Sequence, residues 1–235
     1  MVEDKLRFYA AKLPTRGCPE YVKRIRKEGI AWNHKRIERV YNKLNLNKRK
    51  RKMKRRIANP DKQALLQPIL PNITWSMDFM HDVLESGRKV RVLNVVDDFN
   101  REALMCCPAY SFPSEKVVQL VERLIEKHGK PMNIRTDNGT EFIAKAFEGF
   151  CLTSSINHIR IQKGKPMQNG YCERFNRTFR EDVLDAYIFE NLSQLSDQAE
   201  LWREDYNNNH PHAGIGNYTP YELKTKKNSN LDLLK

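Results

Sequence analysis

Apolar residues recur along this chain with two different spacings, and the change from one to the other divides it. Over 34–45, Ile37, Val40, Tyr41 and Leu44 stand at i, i+3, i+4 and i+7, the buried stripe of a helix. A second helix is predicted over 20–28, with Gly29 as its stop, a short GIAW connection, and Asn33 as the cap of the helix that follows. From Ile73 the texture shortens. ITWSMDFM, KVRVLNVVDDF and ALMCCPAY are apolar-rich runs parted by turn sequence at 85–89 and 98–102, which predicts three strands joined as antiparallel hairpins. Helical spacing returns at Val117, Leu120, Val121 and Leu124 and ends near His128-Gly129. A strand at 132–136, a helix over 141–150 and a strand at 156–161 come next. The loop QKGKPMQNG then leads into a helix starting near Gln168 or Asn169, and a last helix carries Leu195, Ala199, Trp202 and Tyr206 on one face. Hairpin strands followed by strand–helix alternation make a mixed sheet covered by helices, an α/β core.

Length and composition narrow the reading. A chain of 235 residues holds one substantial core and a smaller appendage, and 40% hydrophobic with 30% charged residues describes a globular protein. No apolar run approaches the roughly 20 residues needed to cross a bilayer. The opening MVEDKLRFYAAKLPTR lacks the basic-then-apolar order of a secretory signal. Five scattered cysteines fit free thiols in a reducing compartment, so a cytoplasmic, nucleoid-associated protein is expected. Charge changes the picture more. Residues 1–60 carry 20 basic and 5 acidic side chains, while the remainder carries 22 and 24. A field this uneven attracts polyanions, and nucleic acid is the default one; an anionic membrane is the rival, but the polar stretch offers little apolar face to insert. Its densest part is KRKRKMKRR, in which Lys48, Arg49, Lys50, Arg51, Lys52, Lys54, Arg55 and Arg56 would meet a phosphate backbone. The resulting division is a basic, helix-turn-helix-like DNA-contacting region at 1–58, a proline-bearing linker at 59–72, a core at 73–190, and a C-terminal helix and tail at 191–235.

Three acids carry candidate chemistry. Asp78 lies inside the first strand between Met77 and Phe79, and alternation turns it to the opposite face from both. A carboxylate there costs several kcal/mol unless a cation or donor answers it. Asp137 follows another strand at the sharp Asn138-Gly139 turn, on the carboxyl-end rim where open α/β sheets keep their sites. Glu173 stands early in the helix after the Gly-Lys-Pro loop. Convergence of the three would create an oxygen-only site suited to Mg²⁺ or Mn²⁺, although any one acid alone reads more simply as a turn carboxylate. Other candidates reduce to structure. Asp97 and Asp98 face opposite ways and read as turn or support residues. His210-Pro211-His212 has no third ligand, and Gly164-Lys165 lacks the phosphate-loop pattern.

WSMDF, LNVVDDFNRE, IRTDNGTEF and GKPMQNGYCERFNRTFREDVLD, in that order, resemble the catalytic core of DDE transposases, in particular the second-frame product of insertion sequences of the IS3 family, related to retroviral integrases. Thirty-five residues separate Asp137 from Glu173, the family's DD(35)E spacing. NNNHPHAGIGNYTPYEL is similar to the family's ending, with Ile215 where leucine is usual, and GIAWNHKRIERVYNKLNL resembles its helical segment before the core. The resemblance implies an RNase H-like fold over 73–190 with Asp78, Asp137 and Glu173 as the metal-binding catalytic triad. It implies two Mg²⁺ ions, with Mn²⁺ as substitute, and attack by water or a DNA 3′ hydroxyl in strand cleavage and strand transfer. Asn176, Arg177 and Arg180 would lie near DNA or metal, and Lys163 and Lys165 are expected to contact DNA. Its partners would be double-stranded DNA, the terminal repeats and target of an insertion sequence, a second copy of the chain on that DNA, and a first-frame protein or fused module, with no membrane. A hydrolytic nuclease on the same fold and a catalytically silent DNA-binding protein are the alternatives.

The basic block has a measurable consequence. Neutralising 48–56 should flatten the slope of log K against log salt by about 0.9 for each phosphate the block no longer neutralises. The loss of affinity should be equal on element ends and on unrelated DNA, because the block has no scaffold that aims it at base edges. A salt series on both DNAs checks this; an unchanged slope would refute the phosphate contacts.

Overall fold

A computed structural model of the protein describes residues 1–47, 65–162 and 166–232, in two compact units, Met1–Gln63 and Ala64–Lys235. In the first unit, α1 (Val2–Lys12), α2 (Cys18–Lys27) and α3 (His34–Lys43) close around Leu6, Tyr9, Tyr21, Ile25, Ile37 and Tyr41. The last two follow the predicted helices. Asn33 caps α3 by accepting from the Lys35 N–H at 2.9 Å, and Gly29 takes a left-handed φ of 80° at the end of α2. Helix α1 was not anticipated, although its buried Val2, Leu6 and Tyr9 recur at helical spacing. Pro19 opens α2 from its first turn, where a missing N–H costs nothing.

The second unit is built on one five-stranded sheet in the order β3-β2-β1-β4-β5. Strands β1 (Thr74–Val83), β2 (Lys89–Asp97) and β3 (Ala103–Ala109) are the predicted antiparallel hairpins. Strands β4 (Asn133–Thr136) and β5 (Asn157–Arg160) add on in parallel, reached through helices as parallel pairing requires. Alternation sorts side chains to two cores. Trp75 and Met77 of β1 join Leu93, Val95 and Ile134 beneath α4 (Ser114–His128), α5 (Thr140–Ile143) and α6 (Lys145–Thr153). On the other face Met80, Val92 and Val96 pack against Phe175 and Phe179 of α7 (Gly170–Phe179) and Trp202 and Tyr206 of α8 (Leu192–Asn209). Mixed sheet and flanking helices make this an RNase H-like fold, preceded in sequence by a small helical unit, as the motifs implied.

The structure refines three elements. The helix expected over 141–150 is two, because Ala144 takes an extended conformation, ψ 145°, between α5 and α6. A turn of 3-10 helix at Pro166–Asn169 leads into α7, and a π-helical turn at Arg180–Leu184 prolongs it. Beyond α8 stands α9 (Pro220–Asp232), whose start was written in TPYE. The Thr219 hydroxyl accepts from the Glu222 N–H at 3.2 Å while the Glu222 carboxylate accepts from the Thr219 N–H at 2.8 Å, a reciprocal cap with proline at the first helical position. Among the described residues no helix is long and apolar enough to cross a membrane.

Asn207 is a buried polar residue that holds α8 to the edge of the sheet. It accepts from the Ala103 N–H at 2.8 Å and donates to the Ala103 carbonyl at 3.0 Å, replacing the neighbour strand that β3 lacks at that point. Asn207→Ala leaves a buried donor unsatisfied and should cost about 2 kcal/mol. Asn208→Ala, on the exposed side of the same helix, should stay within about 0.5 kcal/mol of wild type. Urea midpoints at constant slope decide between them.

Candidate active site

Asp78 faces the α7 side of the sheet, opposite Met77 and Phe79 as strand alternation requires. Its Oδ1 accepts from the Phe79 N–H at 2.8 Å and its Oδ2 from the Asn176 amide at 2.8 Å. Burial, helped by the carboxylates of Asp137 and Glu173, pushes its carboxyl up to about 6 despite those two donors. The three predicted acids therefore share one electrostatic neighbourhood.

Asp137 directly follows β4 and opens a tight turn. Its Oδ1 accepts from the Gly139 N–H at 2.9 Å, while Asn138 donates to the Ile161 carbonyl at 2.9 Å and ties the turn to the end of β5. Glycine at 139 is a matter of space: a Cβ there would stand 3.0 Å from Asp137 Oδ1 and 3.3 Å from Glu141 Oε2. Glu173 rides on the first turn of α7, half-buried, one turn before Asn176. The start of that helix is pinned by Tyr171, which donates to the Leu65 carbonyl at 3.0 Å and carries the Arg101 guanidinium over its ring at 3.4 Å. Among the described residues, no group of three or more His, Cys, Asp or Glu side chains gathers tightly enough to hold a metal as it stands. Asp137 and Glu173 nonetheless bring further carboxylate oxygens near Asp78 and oppose its ionisation, a repulsion that a hard divalent cation would relieve.

Of the expected DNA contacts, Arg177 is exposed on α7, and Arg180 donates to the His81 carbonyl at 2.8 Å with Asp185 3.7 Å away. Lys48, Arg49, Lys50, Arg51, Lys52, Lys54, Arg55, Arg56, Lys163 and Lys165 lie outside the described residues. Asp97 accepts from the Asn72 and Phe99 N–H groups, and fully buried Asp98 pairs with Arg135, so both support the sheet rim. His210 and His212 belong to a ring cluster with Tyr206.

Two residues near the acids were not singled out from the sequence. Arg91 pairs with Glu141 and lays its guanidinium 4.1 Å over the ring of Phe79, linking the strand of Asp78 to the turn of Asp137. Asn94, fully buried, donates to Asn176 at 2.8 Å. A charged or polar residue within the otherwise apolar KVRVLNVV was the available signal.

The integrase core domain family matches this chain over residues 70–166 and again over 154–220. A 39.2 kDa protein of insertion element IS476 from Xanthomonas euvesicatoria is 39% identical over 85% of this chain, which spans 57% of that relative. A 31.7 kDa protein of insertion element IS407 from Burkholderia multivorans is 35% identical over 88% of this chain, which spans 75% of it. In fold, the catalytic core of HTLV-2 integrase, solved in complex with magnesium, superposes with a TM-score of 0.51 and 23% identity, covering 65% of this chain and 96% of that one.

Two glycine substitutions should move stability in opposite directions. Gly149→Ala, mid-helix in α6 with open space around the new methyl, should stabilise by about 0.5–1 kcal/mol. Gly139→Ala should destabilise by about 1 kcal/mol, because Asp137 Oδ1 cannot retreat without losing the Gly139 N–H. Urea denaturation of both variants checks the signs, and a stabilised Gly139→Ala would refute the crowding.

Proposed function

The chain belongs to the integrase core domain family, as a transposase core of the IS3 type related to retroviral integrases, and on that premise we propose that it is a DDE transposase. Its reaction would be metal-dependent DNA strand cleavage followed by strand transfer, for movement of an insertion sequence. The observation that carries this reading is the field at Asp78: two elements distant in sequence bring the carboxylates of Asp137 and Glu173 close enough to oppose its ionisation. Holding such groups together without a cation works against the fold, so a cation-dependent task is the economical account.

Asp78, Asp137 and Glu173 would hold two Mg²⁺ ions, with Mn²⁺ able to substitute. When bound, the ions supply Lewis-acid polarisation of the scissile phosphodiester and charge neutralisation along the line of attack. The chain's own residues do the rest. Asn176 keeps one oxygen of Asp78 oriented, the Gly139 N–H does the same for Asp137, and the pinned start of α7 sets the reach of Glu173. Exposed Arg177 extends the same helix and offers phosphate contact, while the basic block at 48–56 supplies affinity without sequence preference. Water would serve as nucleophile for the nick and the freed DNA 3′ hydroxyl for joining. Terminal-repeat DNA and target DNA are then the substrates, with a second copy of the chain and a first-frame protein as partners.

Asp78→Asn, Asp137→Asn and Glu173→Gln should each reduce cleavage at least a thousandfold with DNA affinity changed less than about threefold, since binding resides in phosphate contacts elsewhere. Purified protein, labelled element ends and Mg²⁺ provide the assay, with products resolved as nicked and joined strands. Near-normal turnover in any variant removes that residue from the site. Nicks without joined products would make the protein a hydrolytic nuclease instead, and no metal-dependent product at all would leave a DNA-binding protein.

A further inference from the structure

Asn94 sits in the middle of β2, directly across from Asp78 in the antiparallel register, and is fully buried. Its neighbours along the strand, Val92, Leu93, Val95 and Val96, are all core residues. A primary amide in that setting costs free energy unless both its ends are answered. Only one is. Its Nδ2 donates to Asn176 Oδ1 at 2.8 Å and to Met80 Sδ at 3.2 Å, while its Oδ1 is buried with no hydrogen-bond partner. Asn176 in turn donates its own Nδ2 to Asp78 Oδ2 at 2.8 Å. The three side chains form a one-way relay from strand β2 through helix α7 to strand β1.

From this relay we infer that Asn94 is a positioning residue of the active site, acting through Asn176. The inference rests on the metal-site reading of Asp78 and Glu173. Its logic is the polarity of hydrogen bonds. An ionised carboxylate only accepts, so Asn176 must turn its NH₂ to Asp78 and leave its oxygen facing β2. That oxygen needs a donor, and the sheet offers none there, because strand N–H groups are spent in the ladder. Asn94 supplies it. With the donor gone, the Asn176 oxygen loses its partner, and the amide can answer that loss only by rotating, which weakens its bond to Asp78 and loosens α7 one turn from Glu173. The unanswered Oδ1 is the cost of placing a donor at that spot, and apolar residues of similar size would avoid it.

The test is Mn²⁺ binding by the intact chain without DNA, followed by the electron paramagnetic resonance of free Mn²⁺, with folding monitored by urea denaturation. Asn94→Leu, close in volume and without a donor, should raise half-saturating Mn²⁺ about tenfold, the scale at which partners of ligands act. The double variant Asn94→Leu/Asn176→Leu should bind no more weakly than Asn176→Leu alone, since Asn94 works only through that amide. A residue that merely fills the core would lower folding stability and leave Mn²⁺ binding within twofold of wild type. That result, or effects that multiply in the double variant, would overturn the proposal. Asn94→Val, apolar and suited to a strand, takes the place of Asn94→Leu in the same cycle if the latter does not fold. Asp78→Asn separates the two levels. Abolished Mn²⁺ binding there, with binding by Asn94→Leu intact, overturns the role of Asn94 alone, whereas unchanged binding in Asp78→Asn overturns the metal reading and this inference with it.

Discussion

A carboxylate on the covered face of the middle strand is the constraint around which the second unit is arranged. Asp78 pays for its position, its carboxyl pushed up to about 6 by burial, and nothing in β1 itself can offset that beyond the Phe79 N–H. The compensation comes from a helix. α7 crosses the sheet with Phe175 and Phe179 driven into the core and Asn176, on the same side one residue on, brought to hydrogen-bonding distance of Asp78. Apolar burial supplies the force that docks the helix, and the polar contact selects the rotation at which it docks. Glu173, one turn earlier, inherits its place from that rotation.

The opposite face of the sheet does complementary work. Stacked Phe79 and Phe142, 5.0 Å between ring centres, join the strand of Asp78 to the helix that follows Asp137. Arg91 crosses the same seam by pairing with Glu141 while covering the Phe79 ring. Arg135 and Asp98 lock β4 to the end of β2, with Asp98 wholly buried, a pair whose loss on one side would strand a charge. The β1–β4 ladder sets the spacing of the two strands, and aromatic packing and two ion pairs brace the segment after Asp137 and the end of β2 against them. The three acids interact through space yet are not drawn into a chelating knot, which leaves the last increment of approach to α7 and to whatever cation and DNA phosphate they meet.

Local order was legible in the residues themselves. Helix and strand periods located the three hairpin strands, α3, α4 and α8 closely, because each buries a single face and its apolar spacing records that face. Asn33, Gly29 and Gly129 marked helix ends for steric and hydrogen-bonding reasons that need no tertiary partner. The ordered motifs and the interval between Asp137 and Glu173 identified the family. TPYE was equally legible as a helix start and went unread, as did the spaced apolar residues of α1. What the chain alone could not disclose is which long-range polar groups meet. That Asn94 answers Asn176, that Asn207 serves as a surrogate strand for Ala103, and that Arg91 finds Glu141 each depend on segments 50 to 104 residues apart. A hydrophobic pattern specifies only that a face is buried. The partner of a buried hydrogen-bonding group is decided by the directional geometry of the assembled sheet and helices, which exists only once the apolar faces have closed.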